Sequence, residues 1–401
     1  MPNTESALPT LSMTRENGAP LDPPSQYARL RQEAPISRIS LWGGRSTPWL
    51  VTRWEDARTV LASTAVSSLS SRPGFPTAVE GMPPMPPGYF FGQDDPVHDT
   101  FRKALTREFM VKRIEALREP TVRIFEQLLD GMIEGGGPAD FIEAVALPLP
   151  SLVISELLGV PYEEHEFFQS HSKVLIDTAA TAEQKTAAHQ ALGDYLQRLV
   201  EDKRRDPADD LVSRLGEHVD AGTFSVRDAA DVGAFLLFAG HETTANMIGL
   251  GVLALLEHPG QLPRLYAGKA ELANAVEELL RYLTIAHMGL SRVAIDDITV
   301  GDVTIRAGEG VKILLNSANR DADVFDDADM LDLARANARQ HVAFGYGIHQ
   351  CLGQPLARME LQIVLPEVFR RLPNLRIEPG REVTFKQTSA AYGAAVMPVT
   401  W

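Results

Sequence analysis

Phe344-Gly345-Tyr346-Gly347-Ile348-His349-Gln350-Cys351-Leu352-Gly353-Gln354-Pro355-Leu356-Ala357-Arg358 contains the only cysteine in a chain of 401 residues. A lone thiol closes no internal disulfide and builds no Cys-rich zinc site. Glycines on both sides of Cys351 permit tight turns and close approach of backbone to a flat ligand. A helix begins just after Cys351, and Pro355 suits its first turn, where a missing N–H is no loss. The unpaired N–H groups and positive dipole end of such a helix lower a thiol's pKa and stabilise a thiolate. For an isolated cysteine the competing reading is a buried, inert side chain.

A second segment bears on the same chemistry. Ser225, with Asp228 three residues on, opens a pattern unbroken by proline as far as His258. It predicts a helix of ~30 residues, ~45 Å long, apolar on most sides and therefore buried. In its middle, Ala239-Gly240-His241-Glu242-Thr243-Thr244 sets small and polar residues among apolar ones. A Thr243 hydroxyl can bond the Ala239 carbonyl and bend the helix. The competing reading is a structural kink beside a solvated carboxylate.

The rest of the chain supplies the frame. From Asp95 to about Ala267 it reads as mostly helical, with a further helix over Lys269–Leu283 and a last one over Gln354–Leu372, kinked at Pro366. Pro35–Thr52 alternates around Gly43-Gly44 as a hairpin, Trp54–Ala62 reads as a short helix, and residues 292–315 read as short strands. Residues 63–93 form a long Ser/Pro/Gly-rich loop, and Met82, Met85, Tyr89, Phe90 and Phe91 favour a lid over an apolar pocket. The fold class is mainly α with a minor β part: a flexible leader, 1–20, then one domain, 21–401.

Composition narrows the function. Hydrophobic residues make up 44% and charged residues 23%, enough for a sizeable core. The formal net charge of −15 opposes nucleic-acid binding. The N-terminus lacks the apolar core of a signal peptide, and no apolar run approaches the ~20 residues of a membrane span, so a cytoplasmic protein is expected. No phosphate-binding G-x-x-x-x-G-K-[ST] and no G-x-S-x-G elbow occur. His241-Glu242 fails H-E-x-x-H because position 245 is Ala.

The cysteine loop resembles that of the cytochrome P450 family, F-G-x-G-x-H-x-C-x-G-x-x-L-A-R, at every fixed position, and residues 239–244 meet the family's [AG]-G-x-[DE]-T-T. The resemblance implies the P450 fold, with the long helix crossing a heme b. It implies Cys351 as axial thiolate ligand of the iron, a ligation that favours O–O cleavage. Phe344, Gly345 and Gly353 would shape the loop, and Ala239 and Gly240 would lie over the heme, Gly240 leaving room for a diatomic ligand. Thr243 would steady the oxygen ligand and help deliver protons, with Glu242 as the acid beside it. His98 and Arg102, Arg292 and His349 match the family's propionate contacts, the competing reading for each being an ordinary surface charge. Glu278–Arg281 matches a buried structural pair, supported from the 328–335 side by His341 or Arg335.

Such a protein is a monooxygenase that activates O2 and hydroxylates or epoxidises a lipophilic small molecule, in natural-product tailoring or xenobiotic oxidation. The pocket walls implied are the 63–93 loop, residues 160–190, Leu236, Ala239 and His241, then Ile285–Leu290 with His287 and Met288, and Ala390-Ala391-Tyr392. One cysteine holds no iron–sulfur cluster, so electrons come from NAD(P)H through a ferredoxin reductase and a ferredoxin or flavodoxin. Arg102, Lys103, Arg107, Lys112, Arg113 and Arg118 form a basic patch suited to that docking. The alternative class is a non-catalytic heme-thiolate sensor, which has no need of the Glu242-Thr243 pair.

Overall fold

The computed structural model describes residues 8–16, 18–77, 84–177, 179–386 and 389–401. Its axis is the helix Val226–Glu257, 32 residues long. Ser225 and Asp228 cap it reciprocally, each side chain accepting the other's backbone N–H, with Asp in the place of the usual Glu or Gln. From Thr244 to Leu255 every residue is buried, because other helices cover it all round. Ala182–Arg205 and Pro148–Leu158 are its main neighbours, and Gln354–Arg371, the helix after Cys351, also packs on it. That last helix continues through Pro366 as one element.

The β part consists of small sheets. The largest runs Ile36–Arg38, Trp49–Val51, Gly310–Ile313, Leu290–Ala294, Val66–Ser67 in spatial order. The expected hairpin is present, with Ile36 opposite Val51. Arg292 lies in the sheet opposite Val311. Among the described residues no helix is long and apolar enough to cross a membrane.

The leader needs correcting. Residues 1–7 lie outside the described residues, but from Thr10 the chain packs on the body. Thr10 bridges Ser40, Leu11 is buried, and the Arg15 guanidinium lies 3.7 Å from the Tyr392 ring centre. Apolar and cation–π contacts this far along the sequence have no local signature.

The helix Lys269–Leu283 carries two charge clusters that fix the cysteine side of the fold. Arg281 meets Glu278 through two bonds, 2.7 and 2.8 Å, with both side chains fully buried. Arg335 adds bonds of 3.0 and 3.1 Å to the same carboxylate, so it is the supporting cation. The residues at 328 and 330 contribute backbone: Arg281 donates to the carbonyls of Ala328 and Met330. His341 instead joins Arg358 on Glu277. Burial alone would raise the Glu277 carboxyl, but the hydrogen bonds from His341 and Arg358 outweigh it and hold the pKa at about 2.

Candidate active site

The cysteine loop is tied at both ends. The Cys351 N–H donates to the Phe344 carbonyl at 2.9 Å, and the Arg358 guanidinium sits 4.7 Å over the Phe344 ring while it binds Glu277. Gly345 and Gly347 both have φ of +74°. At Gly347 a Cβ would also stand 2.3 Å from the Leu61 carbonyl oxygen, so the short helix Trp54–Ala62 closes on the loop there.

Cys351 is accessible to solvent-sized contact, yet its thiol is pushed up by burial in the protein mass. An accessible sulfur surrounded by protein mass faces the interior of the molecule. The N–H groups of Gly353 and Gln354 reach the sulfur, and Arg102 and Arg358 act on it favourably. These donors do not offset the desolvation, so the expected lowering of the free thiol's pKa is corrected to a rise. A bound metal cation deprotonates such a thiol outright, and the same donors then stabilise the thiolate. Among the described residues no group of three or more His, Cys, Asp or Glu side chains could hold a metal ion.

Thr243 is exposed between the buried residues Glu242 and Thr244, so it too lines an interior space. Its Oγ1 donates to the Ala239 carbonyl at 2.7 Å, as the spacing predicts. Ala239 is partly open. Gly240 serves a different end from the one expected. A Cβ there would meet Ile154 at 3.0 Å, so the missing side chain lets the helix Pro148–Leu158 approach. His241, expected in the pocket wall, is 3% exposed, and burial is first among the causes that bring its pKa down to about 4. Glu242 is buried and paired with Lys386, whose Nζ lies 2.5 Å from Oε2.

The four residues matched to propionate contacts converge. His98 and Arg102 share the helix Val97–Thr106. The rings of His98 and His349 are 4.2 Å apart, and His349 Nε2 lies 3.0 Å from Ser68 Oγ. Burial, then Arg292, His98 and Arg102, hold the His349 pKa down to about 3. Arg292 is buried, which brings its guanidinium down to about 10 against the pull of Asp94. Arg102 Nη1 donates to the Gln350 carbonyl at 2.6 Å, inside the cysteine loop. His98 Nε2 and His349 Nδ1 are buried and have no hydrogen-bond partner among the described residues. The guanidinium groups of Arg292 and Arg102 beside two ring nitrogens suit an anion, and a pair of carboxylates fits that need. The residues present therefore fit a heme placed with its iron toward Cys351.

The opposite wall is aromatic. Phe235, on the long helix, stacks on Phe91 at 5.0 Å and meets Phe90 edge-on at 5.1 Å, and Tyr89 stacks on His189 at 4.8 Å. The expected lid thus docks on the long helix; Met82 lies outside the described residues. His287 Nε2 bonds the Ser389 carbonyl at 2.8 Å, and Tyr392 N–H donates to the Ile285 carbonyl at 2.9 Å, which zips the two expected pocket stretches together. Sequence reading missed Phe235, Arg15 and Lys386; only Lys386 left a trace, since Glu242 and Asn246 share a helix face at i,i+4. The basic patch is thinner than expected, because Asp99 pairs with Lys103, Glu108 and Asp209 with Arg113, and Glu115 with Arg118.

The sequence profile of the family described as Cytochrome P450 matches residues 271–398. Cytochrome P450-SU2 of Streptomyces griseolus is 47% identical over 98% of this chain and 97% of its own. Pentalenic acid synthase of Streptomyces avermitilis is 45% identical, over 100% of this chain and 99% of its own. The crystal structure of CYP105P1 in complex with filipin I superposes with a TM-score of 0.91 at 38% identity, covering 98% of this chain and 99% of that one. Identity at this level over the full length, on the same fold and with the cysteine loop intact, means that the chain belongs to the cytochrome P450 family.

Proposed function

We propose that this cytochrome P450 monooxygenase hydroxylates or epoxidises a lipophilic small molecule of natural-product or xenobiotic type, with Cys351 as the thiolate ligand of a heme b. The observation that carries the reading is the pairing of an enclosed but accessible Cys351 with four converging basic side chains, Arg292, Arg102, His98 and His349. Heme bound there supplies the iron at which O2 is reduced and one oxygen atom is passed to the substrate. The chain's own residues do the rest. Gly353 and Gln354 N–H groups hold the sulfur's charge, and Phe344 and Gly345 keep the loop in place. Arg292, Arg102, His98 and His349 would hold the propionates, and Ala239, partly open on the long helix, would face the ring. Thr243 holds a proton at Oγ1, and Glu242 resupplies it.

A relative named for the synthesis of pentalenic acid and a related structure in complex with filipin I support a small-molecule substrate of natural-product type. The aromatic lid and the 285–287/389–392 wall suit such a ligand. Electrons reach the cytoplasmic enzyme from NAD(P)H through a ferredoxin reductase and a ferredoxin or flavodoxin. Arg107 and Lys112 flank the exposed Met110 and Val111 on the surface we assign to that partner. The test is turnover with NAD(P)H, reductase, ferredoxin and labelled O2 against a lipophilic panel. One labelled oxygen atom enters the product, and Thr243→Ala lowers product per NAD(P)H by about tenfold or more, as expected for a lost proton-transfer group. Unchanged coupling would remove Thr243 from proton delivery.

A further inference from the structure

The buried acid on the long helix is held by the far end of the chain. Lys386 Nζ lies 2.5 Å from Glu242 Oε2 and donates to Asn246 Oδ1 at 2.7 Å. Asn246 stands one turn beyond Glu242 on the same helix face, and its Nδ2 donates to the Ala391 carbonyl at 3.3 Å. Lys386 N–H donates to the Gly393 carbonyl at 3.0 Å. No side chain fits at Gly393, where a Cβ would stand 2.1 Å from Asn246 Oδ1. The turn from Ser389 to Gly393 is therefore clamped onto the helix at the acid. The same turn meets the other pocket stretch through His287 and Ile285 and carries Tyr392 beneath Arg15.

We propose that Lys386 and Asn246 are positioning residues that tie the substrate-facing turn Ser389–Gly393 to Glu242, so that a ligand seated on the turn sets the carboxylate's reach toward Thr243. The inference rests on the reading of Glu242 as the acid. Each proton passes from solvent to a Glu242 oxygen and from there to Thr243 Oγ1, as that hydroxyl passes its own to the oxygen atom that leaves as water. Glu242 returns as a carboxylate to the Lys386 ammonium, which neither gains nor loses a proton. A buried carboxylate without that cation would be costly to regenerate. His241 also acts on Glu242, and its burial keeps it neutral.

The test compares Lys386→Met, Lys386→Arg, Asn246→Ala and Glu242→Gln in the heme-loaded enzyme. Lys386→Met lowers kcat about tenfold, with KM within about twofold. Lys386→Arg restores most of kcat. Asn246→Ala leaves the ion pair and lowers kcat by about threefold, the low end of a coupled positioning contact. A readout free of turnover is the unfolding double-mutant cycle of Lys386→Met with Glu242→Gln, expected to show coupling of about fivefold in the unfolding constant. If Glu242→Gln impairs coupling of NAD(P)H to product while Lys386→Met leaves kcat unchanged, or if the cycle shows no coupling, the positioning role is overturned and the acid reading stands. If Glu242→Gln itself leaves coupling of NAD(P)H to product intact, the acid reading fails and takes the positioning role with it.

Discussion

Around Glu277 and Glu278 the chain is held by charges taken out of water and paired, while around Phe235 and Tyr392 it is held by rings. On the cysteine side two carboxylates collect Arg281, Arg335, Arg358 and His341, with several of the remaining donors spent on backbone carbonyls. On the opposite side Phe91 lies on Phe235, Phe385 on Tyr392 at 5.5 Å, and Arg15 over Tyr392. Buried charges demand particular partners with particular geometry, so they leave short motifs such as Glu-x-x-Arg and Leu-Ala-Arg. Stacked rings accept many partners across long sequence gaps. The first kind of packing suits a scaffold for one fixed chemistry, and the second suits a wall that varies with its ligand.

The largest effect should follow from breaking the charged side. Glu278→Ala leaves Arg281 and Arg335 buried and unpaired, and should cost about 3–5 kcal/mol in denaturant unfolding, enough to approach global unfolding. A loss below about 1 kcal/mol would mean that the cluster contributes no more than a surface pair does. The next effect is a pH dependence. Glu277 is held at about 2, below its unfolded value, so its contribution is full above the unfolded carboxylate range and is lost as pH falls toward 2. The depression is worth about 3 kcal/mol. Urea midpoints measured between pH 6 and 3, on that scale, should fall less steeply in Glu277→Gln than in the parent. Parallel slopes would deny Glu277 that role. The smallest effect belongs to the aromatic side. Phe235→Ala removes contacts worth about 0.5–1.5 kcal/mol each, and should speed hydrogen exchange over residues 84–93 several-fold while amides over 341–358 keep their protection. Equal acceleration in both stretches would show that the two sides are not separable.

The same contrast governs what can be read from sequence. The long helix and its Ser225–Asp228 cap, the helix Lys269–Leu283 and the glycine loop at Cys351 were legible because capping, periodicity and motif spacing are local. Arg335, rather than His341, as the partner of Glu278 was one of two readings, and only the fold could choose. Gly240 looked like space for a ligand, whereas Ile154 occupies the side it leaves free, and helix neighbours are not written locally. The Cys351 thiol was expected low from its helix end, but desolvation at a cavity wall outweighs nearby dipoles. Arg15 and Lys386 were missed because one lies in a polar leader and the other in a short terminal hairpin, and both act at a distance along the chain.

The account stands on Cys351 as the heme ligand, and the most direct measurement is the carbon monoxide difference spectrum of the reduced protein, taken for the parent and for Cys351→Ala. A strongly red-shifted Soret band in the parent that disappears in the variant is the predicted result. A band at the histidine-ligated position in the parent, or a red-shifted band that survives in Cys351→Ala, would contradict it.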